Sequence, residues 1–339
     1  MLFFAGFRNK ALTRIKFDKL HVGLPVGATY LLGKFYVITE QSPDVLVYTG
    51  RRPFDFIRTI HVDGMIAVDI ATCYVKVCVY ILDNGNGRVL RIDQAYAAVD
   101  TYIGGLKRGS LISMSVNIDG RLTIVQKNSK ILTCDVDKRS LVAWDAPVTG
   151  LRHAVEVHEK SFIVCDGMRC EKITCDRKVF CRQDEIGCRY VDRDRDGNLI
   201  ACDWSGHKVV KLNPETLHVT ATLLTLYGDG IESPRHVRCV LDNGLFLVSW
   251  QNYLDVYSFD ENATQGYLQS QLICEANELH QEITQSKESM EVITASGMDF
   301  IFRELPPDTE QCIVSGKPFV GKNSIYFYLI IHLRRYIII

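Results

Sequence analysis

Between Val22 and Asn262 the apolar residues come in short runs rich in Val, Ile, Leu and Tyr. Clusters of Gly, Asn, Asp and Pro separate the runs, and helical periodicity is almost absent. Such punctuation predicts an all-β chain. The runs also recur as one unit: an apolar strand, a short polar turn, then a second apolar strand. The unit occurs at Phe35–Tyr48, Val79–Ile92, Leu122–Cys134, Phe162–Cys175, Leu199–Leu212 and Leu245–Phe259. Six hairpins over about 210 residues give a period near 42, the spacing of four-stranded propeller blades. One blade cannot bury both of its faces, so a ring of six shares one continuous core. The sixth hairpin lacks a following outer strand, because the chain turns polar from Gln265. The alternating segment Leu12–Phe17 is expected to fill that place and close the ring, which removes the exposed edges. The expectation is therefore a six-bladed β-propeller over residues 12–262.

Residues 263–339 are expected to form a poorly structured, irregular or partly helical extension. Ser270–Val292 is its helical candidate and Pro306-Pro307 its breaker. The apolar end, Ser324–Ile339, is interrupted by Arg334 and Arg335. It falls short of the roughly 20 apolar residues of a spanning helix, so no membrane association is expected. At the other end, apolar Leu2–Ala5 precedes the basic Arg8, Lys10, Arg14 and Lys16, the reverse of a secretory signal.

The fifth repeat is the most specific. Asp196-Gly197-Asn198 makes a tight turn, Leu199–Asp203 an apolar strand ending in Asp, Trp204–His207 a second turn, and Lys208–Leu212 a second strand. This resembles the NHL repeat. Asp83, Asn84, Gly87, Arg88 and Val89 match its core in the second repeat, and Ser233–Val237 resembles the family's Pro-containing entry to an inner strand. The other four repeats are degenerate. The chain looks like the propeller half of a tripartite-motif protein, and that resemblance implies a scaffold for protein or RNA. The Cys-x2-Cys pairs that a RING or B-box needs for zinc are absent, so ligase activity is not expected of this chain.

The 12 cysteines lie mostly in or beside blade strands, as small hydrophobes do. Cys73 and Cys78, like Cys170 and Cys175, are separated by an odd number and would face opposite ways on one continuous strand. Reduced thiols in a cytoplasmic core are expected, with no metal and no cofactor. The aspartates that close strands, Asp83, Asp166 and Asp203, are expected to brace their own turns.

The net charge of −1 hides local detail. Loops entering the inner strands and loops inside the central hairpins share one propeller face. The entries carry Arg152-His153, Arg189-Tyr190 and Arg235-His236. The hairpin loops carry Arg88, Lys127, Lys130, Arg169, Trp204, His207, Trp250 and Tyr253, against few acids, chiefly Asp44 and Glu232. Cations interleaved with aromatics suit phosphates and bases, or a peptide. The predicted binding set is Arg152, His153, Arg169, Arg189, Tyr190, Trp204, His207, Arg235, His236, Trp250 and Tyr253. His153 and His236 are read as surface groups rather than catalytic bases, and no catalytic residue is assigned. Arg193–Asp196 is read as a solvated, self-neutralising turn on the opposite face. The alternative is a divalent-metal-dependent, gluconolactonase-like hydrolase with oxygen ligands in the central channel. Against it, Gly23-Leu24-Pro25 lacks the carboxylate of that family's Glu-Gly-Pro entry, and Glu232-Ser233-Pro234 falls in the last blade.

Overall fold

Inner strands recur at Pro25–Leu31, Ala67–Cys73, Leu111–Val116, His153–His158, Cys188–Arg193 and His236–Val240. Each begins a four-stranded antiparallel sheet, and each packs against the inner strands on both sides, the first against the last. This computed structural model thus forms a closed ring of six blades. It describes residues 13–16, 23–50, 54–93, 98–135, 140–158, 160–241 and 244–258, with four short strands beyond residue 300. Five blades use strands consecutive in the chain. The sixth takes its outer strand from Thr13–Lys16, paired antiparallel with Tyr253–Ser258 in the register Ile15 to Leu254. The closure expected from the alternating N-terminal segment is therefore present. The one α-helix among the described residues, Leu226–Asp229, is a single turn capped by the Thr225 hydroxyl and ended by Gly230 at φ 71°.

The core consists of apolar layers between adjacent blades. Phe35, Tyr36, Tyr80, Phe162, Phe246 and Tyr257 are its largest fully buried side chains. The second strand of each blade buries nearly every residue because both faces meet a neighbour, the third is only partly buried, and the outer strands are largely exposed. Long apolar runs at the hairpins are the sequence counterpart of that double burial.

The chain divides into two compact units, residues 1–268 and 269–339. Described parts of the second are Phe302–Glu304 paired with Tyr336–Ile338, and Phe319–Gly321 paired with Ser324–Tyr326. The helix expected at 270–292 lies outside the described residues. No helix among the described residues is long and apolar enough to cross a membrane.

Candidate functional site: the propeller axis and its cationic mouth

Four inner strands open with a β-bulge, at Val26, Val68, Ile112 and Arg189. In the other two, Arg152 and Arg235 donate their backbone N–H to Cys165 and Ser249, the residues that oppose His153 and His236. Each blade therefore contributes a stepped pair. The first members are Val26, Val68, Ile112, Arg152, Arg189 and Arg235, all partly or fully exposed. The second members are Gly27, Asp69, Ser113, His153, Tyr190 and His236, all buried. A bulge bends its strand and re-aims side chains, so one residue of each pair meets solvent while the next turns inward.

The inward residues form a polar plug. Asp69 accepts the Met114 N–H at 2.7 Å, the Tyr190 hydroxyl at 2.9 Å and the His236 Nε2–H at 3.2 Å. Arg238, two residues further along its strand, donates Nη2 to Asp69 at 3.2 Å, to the Ile70 carbonyl at 2.9 Å and to the Tyr190 hydroxyl at 2.5 Å. Tyr190 thus receives from Arg238 and donates to Asp69. His153 stacks on the Tyr190 ring at 3.6 Å between centroids, and His236 lies 4.1 Å from the same ring. Gly27 fits this ring because a Cβ there would come within 3.2 Å of Ile70 Cγ2 and 3.5 Å of His236 Nε2.

The titration behaviour follows from burial. Desolvation would raise the Asp69 pKa, but the hydrogen bond from His236 and the charge of Arg238 outweigh it and hold it at about 2. Burial pushes His153 down to about 3. Neither of its ring nitrogens meets a good hydrogen-bond partner; the backbone of Val191 is the polar group that approaches it. Burial also lowers His236. Both histidines are thus neutral near pH 7. At the opposite end of the axis, Asp192, Arg238, Thr29 and Glu156 line a pocket of about 40 Å³, room for very few waters.

These positions revise the sequence reading. His153 and His236 are not surface groups: both are buried, and in each case the preceding arginine, whose N–H bonds the carbonyl of the residue opposite the histidine, is the one left exposed. Tyr190 is likewise buried and cannot meet a partner directly. Trp250 is buried too; its indole N–H donates to Asp255 at 2.9 Å, and its ring packs on Tyr253. His207 accepts the Ser233 N–H on Nδ1 at 3.0 Å. Arg169 is pinned by Asp166 at 3.1 Å and Glu171 at 3.2 Å. Asp194, in the turn taken as solvated, is buried and accepts the Asn198 N–H at 2.8 Å. The turn aspartates behave as expected: Asp83 accepts the Ile66 and Asn86 N–H groups, and Asp203 those of Gly187 and Gly206.

What remains open to a partner is the mouth. Arg152, Arg189 and Arg235 enter from three adjacent blades, and the opposite half presents Val26, Val68 and Ile112. Partial burial lowers the Arg189 pKa, and the charges of Arg235 and Arg152 add to that effect, so the three guanidinium groups share one field. Arg235 lies 3.6 Å from Glu40. A groove of about 660 Å³ runs beside this mouth, lined by Ile112, Arg152, Lys127, Asn128 and the loop 146–151. Trp204 is 43% exposed on a hairpin loop of the same face. Asp69, Arg238 and the groove escaped the sequence reading. No motif marks them, and only the sixfold register places them.

No protein-family pattern and no curated protein sequence matches the chain. Solved structures do. A streptogramin B lyase covers 74% of this chain and 88% of its own at 10% identity, with a TM-score of 0.54. Virginiamycin B lyase from Staphylococcus aureus covers 73% and 99% at 9% identity, with a TM-score of 0.52. A structural genomics protein of unknown function from Bacteroides thetaiotaomicron covers 73% and 71% at 18% identity, with a TM-score of 0.57. The likeness is one of fold. Six-bladed β-propellers of unrelated sequence share this ring, and at such identities chemistry does not travel with it.

Proposed function

We propose that this propeller is a non-enzymatic interaction scaffold that engages an anionic partner, protein or RNA, on its arginine-bearing face. The observation that carries the reading is the convergence of Arg152, Arg189 and Arg235 on one mouth, beside a groove that also holds Lys127. Glu40, 3.6 Å from Arg235, offsets part of the repulsion among the three guanidinium groups; an incoming anion relieves the remainder, and planar guanidinium groups suit carboxylates and phosphates. The exposed Trp204 ring adds a stacking surface. The resemblance of Asp196–Leu212 to an NHL repeat supports the same reading. The groups a hydrolase would use at the axis are engaged with one another: Asp69 is saturated by donors, and the two histidines lie beneath the mouth. A divalent-metal site needs several converging oxygens. Among the described residues, the group with metal-ligand spacing is instead all sulfur.

Fluorescence polarisation with a random single-stranded RNA 12-mer, and in parallel with a poly-glutamate peptide, tests the reading over a salt series. With three phosphate contacts the slope of log K against log salt on single-stranded RNA is expected near about −2. The triple variant Arg152→Glu, Arg189→Glu, Arg235→Glu should lose binding to whichever probe the wild type holds. Binding that survives the charge reversal, or wild-type protein that holds neither probe, would sink the proposal.

A further inference from the structure

Outside the mouth, three thiols meet in the seam between the fourth and fifth blades. Cys165 ends one central strand, Cys170 begins the next, and Cys188 opens the inner strand of the following blade. The Sγ of Cys165 lies 3.5 Å from that of Cys170 and 3.0 Å from that of Cys188, and all three sulfurs fall within 4.8 Å of one another. All three residues are fully buried.

The ring supplies its own internal comparison. Register places Ile38, Leu82 and Val125 of the first three blades where Cys165 stands. It places Val45, Val89 and Ile131 where Cys170 stands. At the start of the next inner strand, Ala67, Leu111 and Leu151 correspond to Cys188. Each aliphatic trio lies within one interblade core cluster. Burial alone is therefore served by aliphatic side chains at these positions. Here the chain replaces all three at once with a side chain whose distinguishing property is soft ligation.

We propose that Cys165, Cys170 and Cys188 form a three-coordinate thiolate site for a soft monovalent metal ion, Cu(I), that clasps blade four to blade five. Three sulfurs about 2.3 Å from a central ion stand about 4 Å apart around a trigonal centre. The present spacings reach that by opening two of the pairs by an ångström or less. The core cluster that contains them also holds Ile163, Ile186 and Leu199, and the Tyr190 carbonyl lies 3.8 Å from the Cys188 sulfur. Among the described residues no fourth donor joins the group, which favours a trigonal soft ion over tetrahedral Zn(II). On binding, three S–H bonds break, the protons pass to solvent and three S–Cu bonds form, with no change of oxidation state. The product carries two negative charges. The Arg152 N–H donates to the Cys165 carbonyl at 2.7 Å, which fixes the strand end that carries the first sulfur.

The test is an anaerobic titration of the full chain with Cu(I) against a colorimetric cuprous chelator, and separately with Zn(II). One equivalent of Cu(I) should bind, with near-ultraviolet thiolate-to-copper absorption and X-ray absorption reporting three sulfur neighbours. Cys165→Val, Cys170→Val and Cys188→Val should each abolish stoichiometric binding. Cys202→Val, at the position equivalent to Cys165 one blade on, should leave it intact. Valine already stands at three of the corresponding positions in the first three blades, Val125, Val45 and Val89, and far-UV circular dichroism verifies folding. If a variant does not fold, the sulfur count on the wild-type protein decides. Absence of Cu(I) binding, binding of Zn(II) alone, binding retained in the folded cysteine variants, or a disulfide between two of the three after anaerobic purification would each overturn the assignment.

Discussion

His153 should make the propeller sensitive to mild acid, and His153→Phe should remove that sensitivity. In the unfolded chain a histidine titrates near 6.5; in the fold burial holds His153 at about 3. Between those values the unfolded state carries a proton that the folded state refuses. Stability therefore falls as the pH falls, by about 1.4 kcal/mol per pH unit. From pH 6 to pH 4 the loss from this one ring is about 2–3 kcal/mol, large against the roughly 5–15 kcal/mol that holds a typical domain together. Phenylalanine keeps the stack on Tyr190 and carries no titrating group. Its extra volume is expected to cost about 1–3 kcal/mol, equally at every pH. The slope rather than the intercept therefore carries the test. Urea unfolding at pH 6, 5 and 4, followed by tryptophan fluorescence and far-UV circular dichroism, should give curves that converge or cross as the pH drops. His236 and every other titrating group contribute to both proteins and cancel in the difference. Parallel curves for wild type and variant would refute the assignment of a buried, neutral His153.

Two further outcomes follow from the ring. Asp69→Ala leaves the buried Arg238 guanidinium with the more distant Asp192, 3.7 Å from Nη1, as its carboxylate partner and leaves the Tyr190 and His236 donors without their acceptor, which should cost about 3 kcal/mol in urea unfolding at pH 7; a loss below about 1 kcal/mol would show that the plug is not held by this carboxylate. In the wild type, with a folded pKa of about 2, the contribution of Asp69 is present above pH ~4 and lost as the pH falls towards 2. Ile15 packs partly against the core of the last seam. Ile15→Asp should loosen the closing strand, lower the melting temperature by a few degrees and expose a strand edge that promotes association, and an unchanged melt and elution volume in size-exclusion chromatography would contradict the role of that strand.

The fold was legible because a propeller repeats. Each blade writes the same short message of two apolar strands about a polar turn, and six copies outweigh the degeneracy of any one. The closing strand was legible because the sixth copy visibly lacked its partner. Burial was misjudged at His153, Tyr190 and His236, since an Arg-His or Arg-Tyr pair at a strand entry reads as two surface residues. The stepped strand entry that separates exposed arginine from buried ring leaves no trace in composition. The cysteines illustrate the same limit. Odd spacing places Cys73 and Cys78 on opposite faces only if one strand carries both; they sit on two strands of one hairpin, directly opposite each other. Cys165 and Cys170 face each other across the central hairpin of the fourth blade.

The sequence by itself determined the repeat, its period, the number of blades and the strand that closes them, because these depend on local alternation and turn chemistry. Only the tertiary structure decided which residues meet. Asp69, Tyr190, His236 and Arg238 come from three different blades and are up to 169 positions apart, yet they share one set of hydrogen bonds. Closing a ring brings equivalent positions to a common axis. Packing of neighbouring blades makes Arg152, Arg189 and Arg235 one field and adds Cys188 to the Cys165–Cys170 pair, and no single repeat contains either assembly.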